Sequence, residues 1–215
     1  MLITRDQYIY ERAIALGHYA RHSELTDPRL TPFAGYPLGG VKYRANQLAS
    51  ALGRSQLRHY DERVEEIQKA MNYFWDRLEG APGIKAHRPA KDSGSTMGGW
   101  YAAKGLYRGE ELGGLDVDKF CEAVRAEGVG TSPGPNKPMH IHPVLNDCDI
   151  YGHGKPTRIA NTDRDVRQAP DSLPVALNIH KNCYSIPWFK RCDKAIIEEQ
   201  AAAFRKVAEN ADQLL

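Results

Sequence analysis

The sequence predicts an α+β fold, a small mixed or antiparallel sheet covered by helices on one face. Three observations lead there. Apolar residues recur at steps of three and four through Leu57, Tyr60, Val64, Ile67, Met71, Phe74 and Leu78, which puts them on one face of a long helix. Short strand-like pieces follow, each bounded by glycine, proline or polar turn residues. From that helix onward the order reads helix, strand, strand, helix, strand, helix, strand, helix. Residues 1–38 do not fit inside this pattern. They read as the tail of another domain with a linker, leaving 39–215 as the small α+β domain.

Taken in order, Met1 to Thr4 is a short apolar piece that finishes a strand. Thr4 is the expected cap of a first helix, with Gln7 three residues on, as a capping box requires. Tyr8, Ile9, Ala13 and Leu16 are its expected buried stripe, and Gly17 ends it. His18 to Leu38 carries Pro28, Pro32 and Pro37 and no period, which reads as an ordered, irregular linker. Gly39-Gly40 then opens the long helix through Lys42-Tyr43-Arg44. A glycine turn with two cations at a helix start offers backbone N–H groups and positive charge to an anion. Arg58, Asp61, Glu62, Arg63, Glu65, Glu66 and Lys69 fall on the other faces. Gly80, Pro82 and Gly83 stop the helix.

Ile84 to His87 reads as a strand, Pro89 to Ser95 as a polar loop, and Gly99 to Leu106 as a central strand despite its glycines. After Gly113-Gly114, Asp116 caps a helix whose buried face is Val117, Phe120, Cys121 and Val124, closed by Gly128. Val129 and Thr131 begin a further strand. Ser132 to Pro170 is proline-rich and irregular. Its Met139, Ile141, Val144, Leu145, Ile150 and Tyr151 predict a packed loop. Leu173 to Ile179 reads as a short helix and Cys183 to Ile186 as a strand. Asp193 caps a last helix with Ile196, Ile197, Ala201, Phe204, Val207, Ala208 and Leu214 inward.

The chain has 215 residues, 41% hydrophobic and 26% charged, with a net charge of +2. That balance argues for neither nucleic acid nor an anionic membrane surface as partner. No apolar run approaches the ~18 residues that span a bilayer. MLITRDQYIYERA lacks a basic segment followed by an apolar core, so no secretory signal is read there. Cys121, Cys148, Cys183 and Cys192 have no regular paired spacing, and the cytoplasm is the expected compartment.

The run G-x-K-Y-R-x-x-x-L-x-x-A-L-x-x-x-Q-L, carried by Gly40, Lys42, Tyr43, Arg44, Leu48, Ala51, Gln56 and Leu57, resembles a signature of the DegT/DnrJ-type sugar aminotransferases. Lys42 stands where most members have Asn. The resemblance continues through most of the chain. The first segment resembles the one that follows the cofactor lysine. Glu127-Gly128-Val129 resembles the family's E-G-[IV], Met139-His140 its L-H, and Ser185-Ile186-Pro187 its late S-L-P strand.

These are pyridoxal phosphate (PLP) enzymes of fold type I, so the resemblance implies the small carboxyl-terminal domain of that fold plus the tail of the large one. PLP chemistry needs a lysine amine to hold the cofactor, a carboxylate on the pyridine nitrogen and a phosphate site. In the family these lie upstream of the matching region, and no lysine here sits in the S-x-x-K context. The resemblance therefore implies no catalytic residue in this chain and no PLP bound covalently to it. Three explanations stand open: a split enzyme with a separate amino-terminal half, a truncated product, and a non-catalytic subunit or interaction module.

The family's active site is shared between subunits, which implies a homo- or hetero-oligomer. It also implies Lys42 at the cofactor phosphate with Tyr43 beside it. A solvated Lys42, with Arg44 on a carboxylate, is the alternative. His140 resembles the histidine near the substrate pocket. His142, two residues on, shares its face if the segment is extended. Together they are candidate groups for a keto-sugar substrate, the amino group coming from an amino acid. A metal site from His140, His142, Cys148 and His153 fits no tetrahedral zinc spacing.

Overall fold

Aromatic side chains decide where the core lies. Phe74, Phe120, Tyr184 and Phe204 come from four different elements and are each fully buried. Four of their ring pairs have centroids 5.6 to 6.3 Å apart. The computed structural model describes residues 2–17, 19–31, 46–136 and 138–215. The chain divides into two compact units, Met1–Tyr60 and Asp61–Leu215. The expected boundary at 38/39 lies outside the described residues.

The second unit is built on a three-stranded antiparallel sheet in the order β1 (Ile84–Ala86), β2 (Lys104–Tyr107), β3 (Cys183–Ser185). Ile84 stands opposite Tyr107, and Gly105 opposite Tyr184. Side chains alternate across a strand, so Ile84, Gly105, Tyr107 and Tyr184 share the core face. Against it lie α3 (Tyr60–Arg77), α4 (Val117–Ala126) and α7 (Lys194–Glu209). Trp75 of α3 and Tyr184 close over Gly105. A Cβ there would stand 2.4 Å from Tyr184 Cζ and 2.8 Å from the Trp75 ring. The α+β class and the antiparallel sheet are as the sequence predicts.

The caps of α4 and α7 also follow the sequence. The Asp116 carboxylate accepts from Asp118 N, and that of Asp193 from Ile196 N. The buried face of α4 is Val117, Phe120, Cys121 and Val124, as expected. On α7 the expectation fails at Ile196, which is 48% exposed, and Leu214 lies beyond the helix in the 3-10 turn Ala211–Leu214, half-buried.

From the long helix onward, four more expectations are corrected. The long helix is two helices, α2 (Gln47–Leu57) and α3, separated at Arg58-His59. Leu57 and Tyr60 are 71% and 55% exposed. The apolar face becomes a buried one only at Ile67, so no common packing surface holds one helix through the join. The strand expected from Gly99 begins at Lys104. Trp100 and Ala102 have φ of 54° and 49°, left-handed values that a strand excludes.

The strand expected from Val129 is reduced to one bridge, Pro133 to Tyr184. Ser132 O accepts Ser185 N and Cys183 O accepts Gly134 N, each at 2.8 Å. Proline has no N–H for a ladder, and Gly134 turns away at φ 68°. Finally, Ser132–Pro170 is less packed than expected. It folds into short turns and α5 (Pro143–Asn146), while Met139, Val144, Ile150 and Tyr151 stay 42% to 64% exposed.

The first unit contains α1 (Gln7–Gly17), a 3-10 segment Tyr19–Glu24, and α2. Asp6, not Thr4, caps α1, its carboxylate accepting Ile9 N at 2.9 Å while Thr4 Oγ1 takes Asp6 N. The buried face is also rotated from the expected one. Glu11, Ile14 and Ala15 are buried, whereas Ile9 and Leu16 are 45% and 52% exposed. Ile14 and Ala15 pack with Leu25 and Leu30 in a small apolar cluster.

The approach over Gly105 is testable. Gly105→Ala forces a methyl group into fully buried rings and is expected to cost ~1–3 kcal/mol. Urea unfolding of the full chain measures this, and an unchanged midpoint would mean that Tyr184 and Trp75 can step aside.

Candidate functional site

His140 and His142 fall on a 3-10 turn, Met139–Ile141, and at its end, not on an extended segment. The premise that placed both on one face therefore fails, and their tasks separate. His140 is 5% exposed and stands 3.1 Å through Nε2 from Pro170 O. A carbonyl only accepts, so Nε2 carries the proton in that bond. The carbonyl of His140 takes Asn146 Nδ2 at 2.5 Å, and Asn146 O takes Arg167 Nη1 at 3.1 Å. These bonds tie the turn to the segment entering α6 (Pro174–Asn178). His142 is half-buried and caps α5, its Nδ1 accepting Val144 N at 3.3 Å.

Beside this turn lies an open apolar cleft of about 460 Å³. Pro138, Leu173, Pro174, Val175, Ala176 and Ile179 line it, with Asn136 and Ser172 as its polar members. Through Pro170, two residues before Ser172, His140 helps to hold the wall of this cleft. Gly134 keeps the nearby chain close. Its carbonyl accepts Lys104 Nζ at 2.9 Å, and a Cβ on it would stand 2.9 Å from His180 Cβ. Lys42 and Tyr43, the expected cofactor-phosphate residues, lie outside the described residues, as does Arg44.

One buried carboxylate was not anticipated. Glu11 accepts the Thr26 hydroxyl at 2.6 Å, the N–H groups of Thr26 and Asp27 at 2.9 and 2.7 Å, and Gln7 Nε2 at 2.6 Å. The Thr26 hydroxyl bond, then the Asp27 N–H, outweigh burial and hold its pKa down to about 2. Gln7 is a helix neighbour, but Thr26 and Asp27, which make the other three bonds, lie 15 and 16 positions away, out of reach of a local signal.

The described residues by themselves do not fit PLP. Apart from the half-buried Lys104, every described lysine is exposed. Lys104 is committed to Gly134, and Lys85 and Lys206 to Glu111 and Glu127. The buried carboxylate, Glu11, has its oxygens filled by Gln7, Thr26 and Asp27. No group of three or more His, Cys, Asp or Glu among the described residues is arranged to hold a metal ion. No helix among them is long and apolar enough to cross a membrane.

The sequence model of the DegT/DnrJ/EryC1/StrS aminotransferase family matches residues 1–205. The chain belongs to this family. No curated protein matches the chain in sequence. Among solved structures, an aminotransferase from Psychrobacter cryohalolentis matches 97% of this chain and 51% of its own, with TM-score 0.68 and 14% identity. DesI, in the presence of its TDP-sugar product, matches 99% and 46%, with TM-score 0.62 and 19% identity. The E. coli GDP-4-keto-6-deoxy-D-mannose-3-dehydratase with bound hydrated PLP matches 96% and 49%, with TM-score 0.64 and 14% identity. At these identities the likeness is one of fold. The chain spans about half the length of the structures it matches.

Glu11 generates a pH prediction. Its folded pKa lies below the ordinary 4.5, so its contribution is complete above that value and is lost as pH falls through about 2. Amide exchange at Thr26 and Asp27 is expected to accelerate across that window. In Glu11→Gln it should be fast already at neutral pH; equal protection in both proteins would refute the role.

Proposed function

We propose that this chain supplies the small-domain side of a PLP-dependent aminotransferase acting on a keto-sugar, with an amino acid as donor. The carrying observation is the family match over residues 1–205. In this reading the lysine that holds PLP belongs to protein outside these 215 residues, and the active site is completed in an oligomer. The exposed or committed state of the described lysines supports that division. Residues 1–38 are read as large-domain tail and linker, and 39–215 as the small domain.

Lys42 is assigned to the cofactor phosphate, as a point charge, with Tyr43 beside it. His140 and His142 border the substrate side. The geometry favours an indirect part for His140, since its Nε2 proton is spent on Pro170 O. His142 is the more open of the two, half-buried at the start of α5. The four cysteines are free, in keeping with a cytoplasmic enzyme. A non-catalytic subunit is the second reading, and the same state of the lysines favours it.

Mixing PLP with this chain alone is expected to give no visible absorbance of an internal lysine imine. A stoichiometric imine, trapped by borohydride on a lysine of this chain, would overturn the division. Addition of a polypeptide bearing the S-x-x-K lysine is expected to produce amino transfer to a keto-sugar nucleotide. In that assembly Lys42→Ala should weaken PLP binding by roughly tenfold or more, as the loss of a charged hydrogen bond would. Assembly without amino transfer would select the non-catalytic reading.

A further inference from the structure

The second unit also carries a polar cleft of about 310 Å³, between α3 and the loop from Arg88 to Met97. Its floor is preassembled. Gln68 is fixed at both ends of its amide, Nε2 donating to Gly98 O at 2.8 Å and Oε1 accepting the Trp100 indole N–H at 2.7 Å. The Arg88 side chain is 17% exposed. It donates through Nη1 to Asn72 O and Oδ1, at 3.1 and 3.2 Å, and through Nη2 to Asp76 Oδ1 at 2.8 Å. Asn72 Nδ2 is spent on Gln68 O.

The wall is held as firmly. Trp100 is 1% exposed, and Gly99 O accepts the Trp188 indole N–H at 3.0 Å. The turn keeps two non-glycine residues in left-handed conformation, a strain that persists only where the surroundings over-determine it.

What the cleft leaves unspent is chiefly donors. The side-chain amide oxygens of Gln68 and Asn72 are filled by the cleft's own donors, and one oxygen of Asp76 is left open. Besides that oxygen, the Lys91 ammonium, the Ser95 hydroxyl and Nε–H of Arg88 have no hydrogen-bond partner among the described residues, and each can donate. Two cations against one carboxylate also leave a positive charge. A cleft with unpaired donors and surplus positive charge suits an oxyanion.

We propose that this cleft binds the oxyanion of a small ligand, a phosphoryl or carboxylate group, through Lys91, Ser95 and Arg88. The proposal does not depend on the aminotransferase reading. Calorimetric titration of the full chain at low ionic strength tests it. Inorganic phosphate and L-glutamate serve as separate probes, and the amide signals of Lys91 to Met97 locate the binding.

At least one probe is expected to bind saturably, with shifts centred on those amides. The one that binds more tightly identifies the group. Lys91→Glu should weaken binding at least tenfold and Ser95→Ala about threefold. Lys155→Glu, a charge reversal at an exposed lysine bonded to Thr162 O, should leave it unchanged. Binding of neither probe overturns the proposal. So does equal loss in Lys91→Glu and Lys155→Glu, or full affinity in Lys91→Glu.

Discussion

The contact of Tyr184 and Trp75 over Gly105 is the constraint on which the second unit depends. A strand position without a side chain lets two large rings meet the sheet backbone directly. Tyr184 thereby reaches Phe120 of α4 and Phe204 of α7. Three helices from distant parts of the sequence converge on one strand of three residues. Close packing makes such a junction intolerant of added volume, since a methyl group at Gly105 would fall within 2.4 to 2.8 Å of both rings. The hydroxyl of Tyr184 and the indole N–H of Trp75 find no hydrogen-bond partner among the described residues. Ring packing, and not a polar anchor, sets their positions.

Much of this fold was legible because its signals are local. A capping aspartate followed by a clean three-four period gave both the ends and the inner face of the helix at Val117–Ala126. β1 and β3 were readable from apolar residues between turn formers, and β2 in its second half only. Reading failed where a local pattern competes with tertiary demands. Tyr8, Ile9, Ala13 and Leu16 form a plausible apolar stripe, yet the structure buries the neighbouring face to satisfy Glu11 against Thr26 and Asp27. The apolar period across Arg58-His59 is unbroken in sequence, but nothing covers its first half among the described residues, and the helix breaks there.

The sites show the same division. Family resemblance singled out His140 because it sits in a short run, Met139-His140, with a recognisable neighbour. Its bond to Pro170 O spans 30 positions, beyond the reach of any spacing argument. The polar cleft was not legible at all. Gln68, Arg88 and Trp100 come from a helix, a loop and a turn, and only their mutual hydrogen bonds make them a floor. The fold also separates structural from available polar groups. Arg88 is bound mainly to its own protein, whereas Lys91, three residues on, is exposed and uncommitted among the described residues.

The Ser132–Gly134 segment against β3 has a consequence for self-association. It occupies the outer backbone groups of Cys183 and Ser185, so on that flank another chain finds little to pair with. The opposite flank is β1, three residues long with the charged Lys85 at its centre. Short strands and lysine at a sheet border discourage intermolecular β-pairing. This small sheet is thus poorly suited to template fibril growth, although its core is rich in aromatic residues.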